Sequence, residues 1–166
     1  MFGRHDKVLN LFAQLQAVFP LLPLAGAGSR YQPVWVEDVA AAIVHCLDDT
    51  STIGQVYACA GPDEYTLQQP VEAAGRWSGH RRFVLPLPAA LGRLQALAME
   101  CLPGVPLMSR DNIDSMSVPS VAGGKLPGLD KLGIRAAALD AVVPKYLAPD
   151  QGLARLDPWR ARARRF

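Results

Sequence analysis

Apolar positions recur at helical spacing over residues 6–19, where Val8, Leu9, Phe12, Leu15 and Phe19 fall on one face of "DKVLNLFAQLQAVF". Asp6 reads as the N-cap and Pro20 as the stop. The apolar, Pro- and Gly-rich run "PLLPLAGAGSR" (20–30) predicts a loop lying on a surface or pocket. "YQPVWV" predicts a short strand, placed at a sheet edge by Pro33. Glu37 and Asp38 then open the helix "EDVAAAIVHCLDD", where acidic side chains suit the positive end of the helix dipole. "GQVYACAG" (54–61) has the composition of a second strand.

Thr66 and Gln69 have the spacing of a capping box, predicting a helix from about Thr66 to Trp77 that ends near Gly79. Pro70 falls in its first turn, where it costs little. "RRFVLPL" predicts a third strand, and Pro88 starts the helix "PAALGRLQALAMECL", closed by Pro103 and Gly104. After the short segment "SRDNIDSM", a Gly/Pro-rich loop (119–128) leads to a last helix, "RAAALDAVVPKYL". Strands alternating with helices predict an α/β arrangement, or an α+β piece of one, with helices outnumbering short strands. Three strands make a thin sheet for this length, so the pattern reads as part of something larger.

Composition narrows this picture. A chain of 166 residues, half hydrophobic and 19 % charged, can bury the core of one domain or of one piece of a larger one. Of the net charge of +2, the last dozen residues hold +4 and the body −2. The body therefore has no basic face for a polynucleotide, and no nucleic-acid partner is expected. Residues 151–166 are expected to be a separate Arg-rich, disordered tail after a folded region spanning 1–150. Cys46, Cys59 and Cys101 sit among apolar residues and read as reduced core thiols, while His5, His45 and His80 lack ligand-spaced companions, so no metal is expected. Trp77 reads as a core anchor, as do Trp35, Tyr57 and Tyr65. The beginning "MFGRHDKVLNLF" lacks a secretory pattern and no run approaches the ~20 apolar residues of a membrane span, which led to the expectation of a cytoplasmic protein without a membrane span.

The order "FGRHD", a helix, "PLAGAGSRYQPVWVEDVAAAI", "GQVYACAGPDEYTLQQPVEAAG" and "RFVLPLPAALGRL" resembles the C-terminal half of extended short-chain dehydrogenase/reductase proteins, the nucleotide-sugar epimerase and dehydratase group. Within that group it is most similar to the atypical branch that includes the NADH-dehydrogenase accessory subunit of respiratory complex I. The resemblance covers residues 2 to about 147. It implies that Phe2 and Gly3 lie nearest the nicotinamide end of a cofactor site. It also implies that Arg30, Tyr31 and Gln32 are substrate-side, and it places Arg110 and Asn112 near the substrate pocket. Nucleotide-sugar enzymes carry an arginine directly before the position of Gln32. Here Tyr31 stands there and Arg30 is one residue earlier, on the opposite strand face.

The resemblance also implies a G-x-x-G-x-x-G turn for the dinucleotide pyrophosphate and a Y-x-x-x-K pair, and neither occurs: Tyr31, Tyr57, Tyr65 and Tyr146 are followed four residues later by Trp35, Gly61, Gln69 and Asp150. "AGAGSR" is then read as a cap loop, not a phosphate loop. Met1 directly before "FGRHD" suggests a chain lacking about 140 residues of a Rossmann half. The expectation is a substrate-binding or cap portion with no catalytic residue and no cofactor of its own, NAD or NADP belonging only to a full-length protein. Its partners would be the missing Rossmann half or a second copy, with an unknown small-molecule substrate. The alternative is a self-sufficient assembly module.

Overall fold

The computed structural model describes residues 1–101 and 109–148, with the side chains of Ala98, Met99 and Arg110 outside that description. The expected tail at 151–166 and the helix stop at Pro103 and Gly104 therefore lie outside the described residues. Within them the protein is mixed α/β, with seven helices against four short strands, the make-up of an α+β piece of a Rossmann-like protein.

Helix α1 (Lys7–Val18) starts where the sequence predicts: the Asp6 carboxylate accepts from the Leu9 amide at 2.6 Å, satisfying one orphan donor of the first turn. Strand β1 (Leu21–Ala25) replaces the predicted loop. It pairs in parallel with β4 (Phe83–Leu87), Leu21 opposite Phe83 and Ala25 opposite Leu87. Pro23 and Pro86 are tolerated because each strand of a two-stranded sheet is an edge, and an edge residue can turn its missing N–H away from the ladder. Leu22, Leu24 and Val84 face inward onto Leu67 and Val71.

Strand β2 is only Arg30–Tyr31, antiparallel to β3 (Tyr65–Thr66). The rest of "YQPVWV" makes one isolated bridge, Phe2 beside Trp35. Helix α2 (Val36–Asp48) follows as predicted. The predicted strand at 54–61 does not form; only Ala58 bridges to Gly128. Helix α3 (Gln68–Trp77) begins two residues after Thr66. Half of the capping box is present, the Gln69 side chain accepting from the Thr66 amide at 2.7 Å. The helix ends in a Schellman turn: His80 N–H reaches the Gly75 carbonyl at 2.9 Å, Gly79 N–H reaches that of Arg76 at 3.3 Å, and Gly79 sits at φ 77°.

Helix α4 (Ala89–Glu100) crosses β1 where Gly92 meets Ala25, and α5 (Arg110–Ser115) is capped by Ser109. The predicted last helix is two short ones, α6 (Leu139–Val142) and α7 (Pro144–Leu147), because Pro144 has no N–H to continue α6 and instead starts α7.

Four apolar clusters result, the smallest being Ala25, Ala96 and Ile113 where α4 and α5 meet β1. Leu22, Leu24, Leu67 and Val71 lie between the parallel sheet and α3. Phe2, Leu9, Ala74, Leu139 and Val143 join α1, α3, α6 and the link to α7, with Trp77 packed against them as its anchoring role predicts. Val34, Ala42, Leu129 and Leu132 underlie α2.

Candidate functional site

The glycine-rich loop after β1 turns at Gly26, whose φ of 67° an L side chain rarely adopts. Its carbonyls face the start of α3: Leu67 N–H donates to Ser29 at 2.9 Å and Gln68 N–H donates to Ala27 at 3.1 Å. The loop thus offers acceptors to a helix N-terminus, whereas a phosphate cradle offers donors to an anion.

Beyond it, Arg30 and Tyr31 form β2 and Gln32 follows directly. Arg30 is ion-paired with Glu64 on the surface. Tyr31 is partly buried against the sheet cluster; burial raises its phenol pKa, and a hydrogen bond with Ser29 pulls the other way. Gln32 is a staple. Its Nε2 donates to the Gly61 carbonyl at 2.8 Å and its Oε1 accepts from the Ala122 amide at 2.8 Å, tying β2 to two loops. Gly61 must be glycine here, since a Cβ would stand 1.9 Å from the Pro33 carbonyl oxygen. Both ends of the Gln32 amide are thus engaged within the fold.

Asn112 lies exposed on α5, its N–H held by Ser109 Oγ at 3.2 Å. Among the described residues no hydrogen bond or ion pair joins it to Arg30, Tyr31 or Gln32, and the Arg110 side chain lies outside those described. Phe2 is interior: its N–H donates to the Val34 carbonyl and its carbonyl accepts from the Val36 amide, both at 2.9 Å. Gly3 lies close beside it, with Val36 Cγ1 2.7 Å from where a Cβ would be. The thiols correct the expectation of three core cysteines, since Cys46 is half-buried while Cys59 and Cys101 are exposed; all are free.

Sequence reasoning missed a groove of about 280 Å³ between α3 and α6, lined by Tyr65, Gln69, Glu72, Arg76, Leu139 and Asp140. Gln69, Glu72 and Arg76 share one helical face, a spacing that could have flagged it. Burial first, then the Asp140 and Asp63 carboxylates, push the Tyr65 phenol up to about 12. Held protonated well past neutrality, that hydroxyl suits hydrogen-bond donation and not general-base work. The groove can hold a small polar ligand by hydrogen bonds and charge. Among the described residues no group of three or more His, Cys, Asp or Glu side chains forms a metal site, and no helix is long and apolar enough to cross a membrane.

Fold and site together describe a small mixed α/β unit whose polar side chains mainly hold its own loops together. No protein-family model matches the chain. It is similar to the mitochondrial NADH dehydrogenase [ubiquinone] 1 alpha subcomplex subunit 9 of Rattus norvegicus, with 33 % identity over 147 residues, 84 % of this chain and 37 % of that protein. The Arabidopsis thaliana protein of the same name is 43 % identical over 74 residues, 43 % of this chain and 18 % of its own length. The mitochondrial NADH-ubiquinone oxidoreductase 40 kDa subunit of Neurospora crassa is 28 % identical over 147 residues, 89 % of this chain and 38 % of that subunit. The chain spans little more than a third of the rat and Neurospora relatives.

These findings overturn the expectation of a cytoplasmic protein, because the relatives are mitochondrial. That expectation rested on the first dozen residues and on the lack of a long apolar run. Neither reports a compartment in a chain that matches so small a share of its relatives.

Proposed function

We propose that the chain is the substrate-side, cap portion of an accessory subunit of the complex I type, built on a short-chain dehydrogenase-like fold, and that it does not catalyse on its own. The observation that carries this reading is the 33 % identity sustained over 147 residues to an NADH dehydrogenase subunit. The site supports it: Gln32 and Phe2 are committed to backbone pairing, Arg30 to Glu64, and Tyr65 is held protonated. NAD or NADP, with a structural or redox-sensing role, belongs to the longer protein in this reading. The epimerase-like ancestry accounts for the fold, not for a present activity.

Titration calorimetry of NADH and NADPH into the purified chain tests the cofactor part, the expected result being no binding; micromolar binding overturns it. Co-migration of the tagged chain with NADH:ubiquinone oxidoreductase activity on native gels tests the accessory role, and a chain that never co-migrates removes it. A second reading, a self-sufficient assembly module, is favoured by the bare apolar stripe of α2, where Ile43, Val44 and Leu47 are exposed. Under that reading the chain is monomeric and soluble by light scattering before any partner is added.

A further inference from the structure

The groove between α3 and α6 carries charges of both signs that the fold leaves unused. Arg76 lines it from α3 and Asp140 from α6. Neither the guanidinium nor the carboxylate has a hydrogen-bond or ion-pair partner among the described residues, and the two are not paired with each other. Glu72 stands one turn before Arg76 and would be its natural partner on a helix surface. Its Oε1 instead accepts from Gln68 Nε2 at 2.7 Å, and no ion pair forms between Glu72 and Arg76.

The walls are held in place from below. Ala74 of α3 and Leu139, Val142 and Val143 of the α6 region belong to one buried cluster, which fixes the two elements against each other. Leu139 and Ala73 are buried and line the groove, so its lining is apolar between the charged side chains. The Tyr65 hydroxyl faces the Asp63 carboxylate at 3.5 Å and keeps its proton, adding a polar group without a charge. A volume of about 280 Å³ lies just under the range of roughly 300–1,000 Å³ typical of small-molecule pockets. A dinucleotide is too large for such a space, whereas a free amino acid is of the right size.

We propose that this groove binds a small zwitterion, an α-amino acid with an apolar side chain, its carboxylate on Arg76, its ammonium on Asp140 and its side chain over Ala73 and Leu139. A ligand carrying one charge would satisfy one wall and leave the other unpaired; a zwitterion satisfies both. Arg76 and Asp140 are exposed, so each ion pair is partly screened and the affinity is weak, roughly millimolar. The site goes beyond the accessory-subunit reading: a chain that never co-migrates with the oxidoreductase would leave the groove and its ligand untouched.

The test is an amide chemical-shift titration of the full chain by NMR with three probes: L-leucine, N-acetyl-L-leucine, which lacks the ammonium, and L-leucinamide, which lacks the carboxylate. L-leucine is expected to give saturable shifts at Gln69, Glu72, Arg76 and Asp140, with each of the other probes at least about five-fold weaker. Arg76→Gln should abolish the preference for leucine over leucinamide, and Asp140→Asn the preference over N-acetyl-leucine. Both substitutions are at exposed positions and should leave the urea midpoint nearly unchanged. Leucinamide binding the parent as tightly as leucine makes the groove a cation site and overturns the inference. N-acetyl-leucine binding as tightly makes it an anion site on Arg76 and overturns it equally. The absence of saturable shifts at these residues with L-leucine also overturns it, as do preferences that survive both substitutions.

Discussion

Helices α1 and α3 bury their facing sides against each other, while α2 buries only one of its two apolar sides. Between α1 and α3 the approach is so close that Gln16 is fully buried, its Nε2 donating to the Val71 carbonyl at 2.8 Å, and Gly75 leaves room for its Oε1. On α2, Ile43 and Val44 are each 58 % exposed and Leu47 is 80 % exposed. Covering side chains of this size contributes about 2 kcal/mol each. The first region has already gained that stabilisation within the chain; the second has not. The contrast separates apolar surface that this sequence uses in its own folding from apolar surface that it leaves exposed.

Truncation in the closed region should have the largest effect. Leu24 is 1 % exposed between the parallel sheet and α3. Leu24→Ala is expected to cost about 3 kcal/mol in urea denaturation, from lost transfer energy plus the cavity. A cost below about 1 kcal/mol would mean that the sheet cluster is as loose as the α2 side, and the contrast would fail.

Gly75→Ala probes the same interface from the opposite direction. The added Cβ would lie 2.0 Å from Gln16 Oε1, and Gln16 cannot swing away because it is enclosed and held to Val71. A destabilisation of about 2 kcal/mol is expected by the same measurement. Gln16 Oε1 has no partner of its own, so the interface already carries one unsatisfied buried acceptor and has little tolerance for a second fault.

The two regions also differ in how they could be read. The helix start at Asp6, the α3 stop at Gly79 and the extent of α2 rest on local chemistry, and local chemistry is visible in a single sequence. Strand β1 was hidden because Pro23 looks like a breaker unless both flanks of the strand are known to be edges. The 54–61 segment misled in the other direction, a strand by composition with no ladder inside the chain. The break at Pro144 was legible in principle, but the apolar spacing across it outweighed the proline. Arg30, Tyr31 and Gln32 were singled out together by the resemblance, while the structural use of Gln32 depends on Gly61 and Ala122, far along the chain. The α3–α6 groove depends on Leu139 and Asp140 meeting α3, which no local pattern predicts.

Between these extremes lies the tie of α7 to α1, where the Tyr146 hydroxyl donates to Asp6 Oδ2 at 3.0 Å. Tyr146→Phe is expected to cost about 1 kcal/mol. Burial first, then the Asp6 carboxylate and its hydrogen bond, raise this phenol above its ordinary 10.0. The native state therefore holds the proton longer than the unfolded chain does. The stabilisation is fully present below pH 10 and is lost as the pH rises from there toward the folded value, with Tyr65 acting in the same direction up to about 12. The loss of stability above pH 10 should be shallower in Tyr146→Phe than in the parent, and an unchanged slope would place the alkaline transition elsewhere.

The smallest effect is expected where exposed apolar surface is greatest. Leu47→Asp puts a charge at an 80 % exposed position near the C-terminal end of α2, beside Asp48 and Asp49. An acidic side chain near a helix C-terminus is mildly unfavourable, by a few tenths of a kcal/mol, and little packing is lost, so the net change should stay within about 0.5 kcal/mol. Association should respond far more than stability. If α2 awaits a partner, the substitution lowers any self-association seen by light scattering while leaving the urea midpoint nearly where it was. A large fall in the midpoint would show that Leu47 already supports the chain's own core, and the bare stripe of α2 would then be part of the closed region after all.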